Sequence, residues 1–162
     1  YKLINDKENL TKQILQLLIE FPMLNYYQLY KIYLSTKNRN EFLNLLKKLD
    51  FNLNEVVKIL IEENRYLDAL EHIKKEKRLI KDFYRLIPVD FKEVKDKIYY
   101  NYLVDLAENA SKRNEYRKVT YEIYKYRKIT NNKIKDIIDF LSTKHSNQPA
   151  FLDELANVKS ND

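Results

Sequence analysis

The sequence predicts an all-α fold, arranged as an irregular helical-hairpin repeat (a TPR-like α-solenoid) of about ten helices. Apolar residues recur at three- and four-residue spacing along the chain. None of the 162 residues is Gly, so the positive-φ turns that link β-hairpins lack their usual residue. In an all-α chain without Gly, the left-handed positions that close helices fall to Asn.

Asn5 with Glu8 forms a capping box ahead of Leu10, Ile14, Leu17, Leu18 and Phe21. Pro22 resets the chain, and Tyr26, Leu29, Tyr30 and Tyr33 mark a second helix. Asn38 and Glu41 offer the next cap, before Phe42, Leu45, Leu46 and Leu49. Leu53, Val56, Val57, Leu60 and Ile61 make a fourth helix, and a break at Asn64 leads to Tyr66, Ala69, Leu70 and Ile73. Leu79, Ile80, Phe83 and Leu86 make a sixth, ended by Pro88. Asp90 with Glu93 caps a longer seventh, facing inward through Phe91, Val94, Ile98, Tyr102 and Leu106. Ser111 caps an eighth that runs to about Ile129. Thr130 or Asn131 starts a ninth, with Ile134, Ile137, Ile138 and Leu141 inward. Pro149 suits the first turn of a tenth, which holds Leu152 and Leu155.

One local pattern returns. Asn38-Arg39-Asn40-Glu41-Phe42, Glu63-Asn64-Arg65-Tyr66 and Lys112-Arg113-Asn114-Glu115-Tyr116 each place Arg and then a ring at a helix start. Such a ring can pack back onto the first helix of a hairpin. The intervals differ, which makes the array irregular. A compact bundle built from similar hairpins is the alternative. Residues 1–162 read as a single region, with a subdivision into 1–88 and 89–162 in view. Tyr1 is not Met and no signal-like segment follows, so the expectation is a C-terminal fragment of a longer protein. No apolar run reaches 18 residues, and a soluble, cytoplasmic segment without membrane contact is expected.

Chemistry-bearing motifs are scarce. Without Cys there is no disulfide, thiol nucleophile or cysteine zinc site, and without Gly no phosphate-cradling loop. His72 and His145 stand far apart in sequence, so no zinc set presents itself. Asp139, Ser142 and His145 repeat the residue types of a catalytic triad, but successive turns of one helix do not aim them at each other in the required order. A non-enzymatic protein without a cofactor in this segment is expected.

The charge is local. Between Ser111 and Lys135 nine basic residues face two acidic ones, a balance of +7 in a chain of +6. At about 100° per residue, Tyr116, Val119, Ile123 and Tyr126 share one narrow face. The opposite half presents Arg113, Arg117, Lys118, Lys125, Arg127 and Lys128, with Tyr121 and Tyr124 among them. Cations beside rings suit nucleic acid, where charge meets phosphate and rings stack on bases. The plainer structural alternative packs Tyr121 and Tyr124 on the next helix and leaves the cations to keep the surface solvated. The abundance of Tyr, Lys, Asn and Ile also fits an AT-rich genome.

Lys112-Arg113-Asn114-Glu115-Tyr116, followed by Gln148-Pro149-Ala150-Phe151-Leu152-Asp153-Glu154-Leu155, resembles the C-terminal region of bacterial SWIM zinc-finger family proteins. The resemblance covers roughly residues 94–158. It departs at Gln148, where the family carries a basic residue, and in the absence of the zinc-ligand Cys and His pattern. It implies a helical-repeat scaffold beside a zinc module lying upstream of Tyr1.

The function expected is a protein-interaction or scaffolding module that takes an acidic partner through Arg113, Arg117, Lys118, Tyr121, Tyr124, Lys125 and Lys128. A nucleic-acid-binding accessory domain using the same helix around 112–128 is the alternative.

Overall fold

The computed structural model describes residues 36–46 and 53–159, with single positions at 9, 12, 13, 16, 17, 20 and 21. The two helices expected before Tyr33 lie mostly outside these residues, as does Leu49. Every described element is helical. The chain divides into two compact units, Tyr1–Lys75 and Glu76–Asp162.

In the first unit α1 spans Thr36–Leu46, α2 Leu53–Glu62 and α3 Tyr66–Lys75. Helix α1 is already running at Thr36, so Asn38 and Glu41 lie inside it and not at its cap. Helices α2 and α3 pack as a hairpin through Val56, Val57, Leu60, Ala69, Leu70 and Ile73. Asn64 makes the turn with φ of 60°. Its N–H donates to Ile61 O at 2.9 Å, and the Arg65 N–H donates to Leu60 O at 2.8 Å. Those two bonds define a Schellman cap, and Asn takes the left-handed place that Gly fills in most helices.

The second unit begins with a 3₁₀ turn, Lys77–Leu79, that runs into the short α4, Ile80–Phe83. A second 3₁₀ turn, Val89–Phe91, leads into α5, Lys92–Glu108. Helices α6, Arg113–Thr130, α7, Lys135–Lys144, and α8, Pro149–Lys159, follow. Helix α5 packs on α4, α6 and α7, and α8 packs on both α6 and α7. Pro149 opens α8 as expected.

Several expectations are corrected. Asp90 sits within the 3₁₀ turn and caps nothing, because the chain turns into helix after Pro88. Leu86 is exposed and Ile87 is buried in its place. The largest correction concerns α5, which buries Lys95, Tyr99, Leu103 and Ala107 together with Ile98. Apart from Ile98, that set is the expected Val94, Ile98, Tyr102 and Leu106 shifted by one residue. A rotation of about 100° about the helix axis follows. Apolar and aromatic residues surround α5, so periodicity selects no single face.

The rotation turns Lys95 inward, where its Nζ donates to Ile87 O at 2.7 Å and Tyr84 O at 3.1 Å. It also lies 4.3 Å above the Tyr84 ring. A buried ammonium is tolerated when its protons are used in this way. Burial pulls its pKa below the ordinary lysine value.

Asp96, next on the helix, accepts hydrogen bonds from the Tyr84 hydroxyl and the Lys92 ammonium, and from Asn132 Nδ2 at 2.8 Å. Asn132 Nδ2 also reaches Tyr126 Oη at 3.0 Å, so Asn132 links α6 to Asp96 on α5. Desolvation would raise the Asp96 pKa. The hydrogen bonds from Lys92, Tyr84 and Asn132 outweigh it and hold the carboxyl below the ordinary aspartate value. Tyr99 is wholly buried beside this network, edge-on to Tyr126 with ring centres 5.0 Å apart.

Candidate interaction groove

Ser111 is not the N-cap of helix α6, although its N–H and hydroxyl both donate to Glu115. The Glu115 carboxylate reaches back and accepts the N–H of Ser111 at 2.7 Å and of Lys112 at 3.1 Å. Lys112 is therefore the N-cap, and the backbone bonds hold Glu115 below the usual carboxylate range. At the other end Thr130 closes the helix and does not start the next. Asn131 takes φ of 56°, and its N–H donates to Arg127 O at 2.8 Å. Both left-handed residues among those described are Asn, the residue that the absence of Gly implied.

Tyr116, Val119, Ile123 and Tyr126 are buried, as the periodicity of this helix predicts. Tyr116 stacks on Phe151 of α8 with ring centres 4.8 Å apart. This stack ties the ring to α8, a partner beyond the hairpin expected from the sequence. Tyr121 and Tyr124 face out, 58% and 41% exposed, so neither is buried against the next helix.

A groove of about 630 Å³ runs along this outer face. One wall is α6, through Arg117, Thr120, Tyr121, Tyr124 and Arg127. The other is α8, through Glu154, Asn157 and Val158, with Ile134 at one end. The size suits a few side chains of a bound segment. Of the residues expected to bind, Arg117, Tyr121 and Tyr124 line it.

The cations are largely engaged. Arg113 and Arg117 both donate Nε–H to Glu154 Oε1, at 2.9 and 3.2 Å. The Arg113 bond, ahead of opposing desolvation and supported by Arg117, holds the Glu154 carboxyl below the usual carboxylate range. Lys125 pairs with Glu122 at 3.3 Å and lies 4.5 Å over the Tyr121 ring. Lys128 lies 4.5 Å over the Tyr124 ring. Lys118 is exposed and does not line the groove. Lys118, Lys128 and Lys133 have no acidic partner among the described residues.

Sequence reasoning missed Glu154 and Asn157, which stand more than 25 residues from the α6 residues they face. A periodicity within α6 carries no signal for them. Arg39 and Arg65, in the two related stretches, also reach across elements. Arg39 Nη1 stands 3.9 Å from Glu63, and Arg65 donates to Asn44 Oδ1 at 3.2 Å. What the three stretches share is this reach and not a turn, because the first lies inside α1.

His145 is buried and edge-on to Phe151 at 5.2 Å, part of the packing that holds α8. Among the described residues, no group of three or more His, Asp or Glu side chains is placed to hold a metal ion. No helix among them is long and apolar enough to cross a membrane. No family model matches the chain, and neither the curated proteins nor the solved structures contain a match.

Proposed function

We propose that this chain is a non-enzymatic interaction module whose α6–α8 groove takes a segment of a protein partner, with acidic side chains toward the α6 cations. The observation that carries the proposal is the exposure of Tyr121 and Tyr124 in a groove between two packed helices. Each ring has a lysine ammonium over one side, which leaves amphipathic contact area at low entropic cost. Lys118, Lys128 and Lys133, which have no acidic partner among the described residues, favour an acidic occupant through steering.

The helix pairing supports the stacked, TPR-like hairpin reading of this unit. Helix α5 pairs with α6 and α7 with α8, while across the hairpins α5 meets α7 and α6 meets α8. The place of such a module beside a zinc-binding domain rests on the resemblance of residues 112–116 and 148–155 to SWIM zinc-finger family proteins. The coding sequence upstream of Tyr1, read for Cys-x-Cys and Cys-x-His, tests it. Nucleic acid remains the second reading, favoured by the same rings beside cations. Glu154 weakens it by lowering the positive charge that a run of singly charged phosphodiesters would need along this face.

One titration separates the two. The full chain is titrated with a glutamate–tyrosine copolymer and with oligothymidylate at low and moderate salt. Copolymer binding weakened about tenfold by Tyr121→Ala or Tyr124→Ala supports the groove, a loss of about 1.4 kcal/mol. Tighter oligothymidylate binding with steep salt dependence replaces it with the nucleic-acid reading.

A further inference from the structure

Arg113 and Arg117 stand one turn apart on α6 and share one acceptor, Glu154 Oε1. Only the Nε edge of each guanidinium is used in these bonds. Asp153 approaches one terminal amino group of Arg113 at 3.9 Å, beyond hydrogen-bond distance. The terminal amino groups therefore make no hydrogen bond among the described residues. The Glu154 side chain is 11% exposed, against 56% for Arg113 and 66% for Arg117. The acid sits behind and the two forks stand in front of it. Because a guanidinium is planar, a bond at Nε also fixes the direction of its outer edge.

We infer that this pair, with Glu154 as its positioning residue, receives the phosphoryl group of a phosphorylated serine or threonine in the segment that the groove binds. The inference rests on the groove reading for its partner. The two arginines with Glu154 retain one net positive charge, which the exposed Asp153 beside Arg113 offsets in part. A phosphomonoester carries about −1.5 to −2 charges and three terminal oxygens, enough to engage both forks. A carboxylate has two oxygens and fills one fork. A phosphodiester also offers two free oxygens and a single charge, so a nucleic-acid backbone matches the pair less well.

The test titrates the 15N-labelled full chain with N-acetyl-O-phosphoserine amide, following the Arg113 and Arg117 Nε–H resonances. N-acetylglutamate amide and oligothymidylate are the parallel probes. Both resonances are expected to shift saturably, with affinity about fivefold higher for phosphoserine than for glutamate. Binding should strengthen as pH rises through about 6, where the second phosphoryl proton leaves. Arg113→Ala and Arg117→Ala should abolish it, and Arg→Lys at either position should not restore it, because an ammonium presents no fork. Glu154→Gln should bring the two affinities together while α8 stays docked, a change in selectivity that a purely structural acid would not cause.

Unshifted arginine resonances, equal response to glutamate, or tighter oligothymidylate binding overturns the inference. So does a gain of phosphoserine affinity in Glu154→Gln, which would make Glu154 a competitor. Failure of the glutamate–tyrosine copolymer to bind overturns the groove reading, whereas failure of phosphoserine alone overturns only this assignment.

Discussion

Helix α6 carries tyrosine and cations on one side and tyrosine with aliphatic residues on the other, and the two sides use tyrosine differently. On the inner side Tyr116 is stacked on Phe151, and Tyr126 is buried against Tyr99 with its hydroxyl on Asn132. On the outer side Tyr121 and Tyr124 contact the lysines one turn ahead and open onto the groove. Ion pairs divide in the same way. Asp96 is mostly enclosed and hydrogen-bonded by three side chains, so removing it leaves the buried Tyr84 hydroxyl without its acceptor. Arg113 and Arg117 are half or more exposed, and pairs of that kind contribute little to stability. Stability resides on the inner side, and the proposed recognition on the outer.

Phe151→Ala breaks the comparison most severely. It removes a wholly buried ring that stacks on Tyr116 and meets His145 edge-on. A loss of about 4 kcal/mol is expected in urea unfolding, since a large buried side chain is lost and its cavity remains. Because Phe151 also pins the wall that holds Glu154, copolymer binding should fail in the fraction that stays folded. An unchanged unfolding midpoint would show that α8 is not anchored there.

Asp96→Ala comes next, with an expected cost of about 3 kcal/mol, because Lys92, Tyr84 and Asn132 lose a common acceptor. The same residue sets an acid limit. Its folded-state pKa lies below its unfolded value of about 3.9. Its contribution is therefore fully present above that pH and is lost as pH falls below it, when the unfolded chain takes up the proton first. Tyr84, Tyr99 and Tyr126 act at the opposite end. Burial, the leading cause for each, raises their pKa values above the ordinary tyrosine value. Their contribution holds below about pH 10 and declines above it, where the unfolded chain ionises first. Urea midpoints measured against pH should fall at both limits, and Asp96→Ala should flatten the acid limit and soften the alkaline one, because Asp96 also helps to raise the Tyr84 and Tyr126 pKa values.

Asn131→Ala is milder. At φ of 56° an alanine Cβ crowds the carbonyl, and about 1 kcal/mol should be lost. Asn131→Gly should match or exceed the wild type, since Gly adopts this conformation without that clash. A stable alanine variant would mean that the cap relaxes into another turn.

How far the sequence reveals these features depends on the range of the interaction. The inner stripe of α6 and the use of Asn for left-handed caps follow from local sterics and periodicity, and both are legible in it. The face of α5 is not, because aromatic and apolar residues at 98, 99, 100, 102 and 103 leave several helix rotations nearly equal. A choice among them turns on Lys95 finding the carbonyls of Tyr84 and Ile87, a non-local event. The basic balance of residues 111–135 is legible too. Its partial neutralisation is not, because Glu154 arrives from another helix. An inventory of charge along one segment overstates the free charge on its surface wherever a neighbouring helix supplies the counter-ion.

Tyr121→Ala and Tyr124→Ala should have the smallest effect on stability, within about 0.5 kcal/mol, because each ring is exposed and is covered on one side by a lysine of its own helix. That near-silence gives the comparison its sharpest test. A helix whose outer rings served packing would lose stability and binding together. A recognition face loses binding alone, about tenfold per ring against the glutamate–tyrosine copolymer, while the urea midpoint stays put. If either substitution costs as much stability as an inner-face tyrosine, the two sides of α6 do not differ in kind, and the groove is an incidental gap between packed helices. If both leave stability and binding unchanged, the rings are ordinary exposed tyrosines and the partner docks elsewhere.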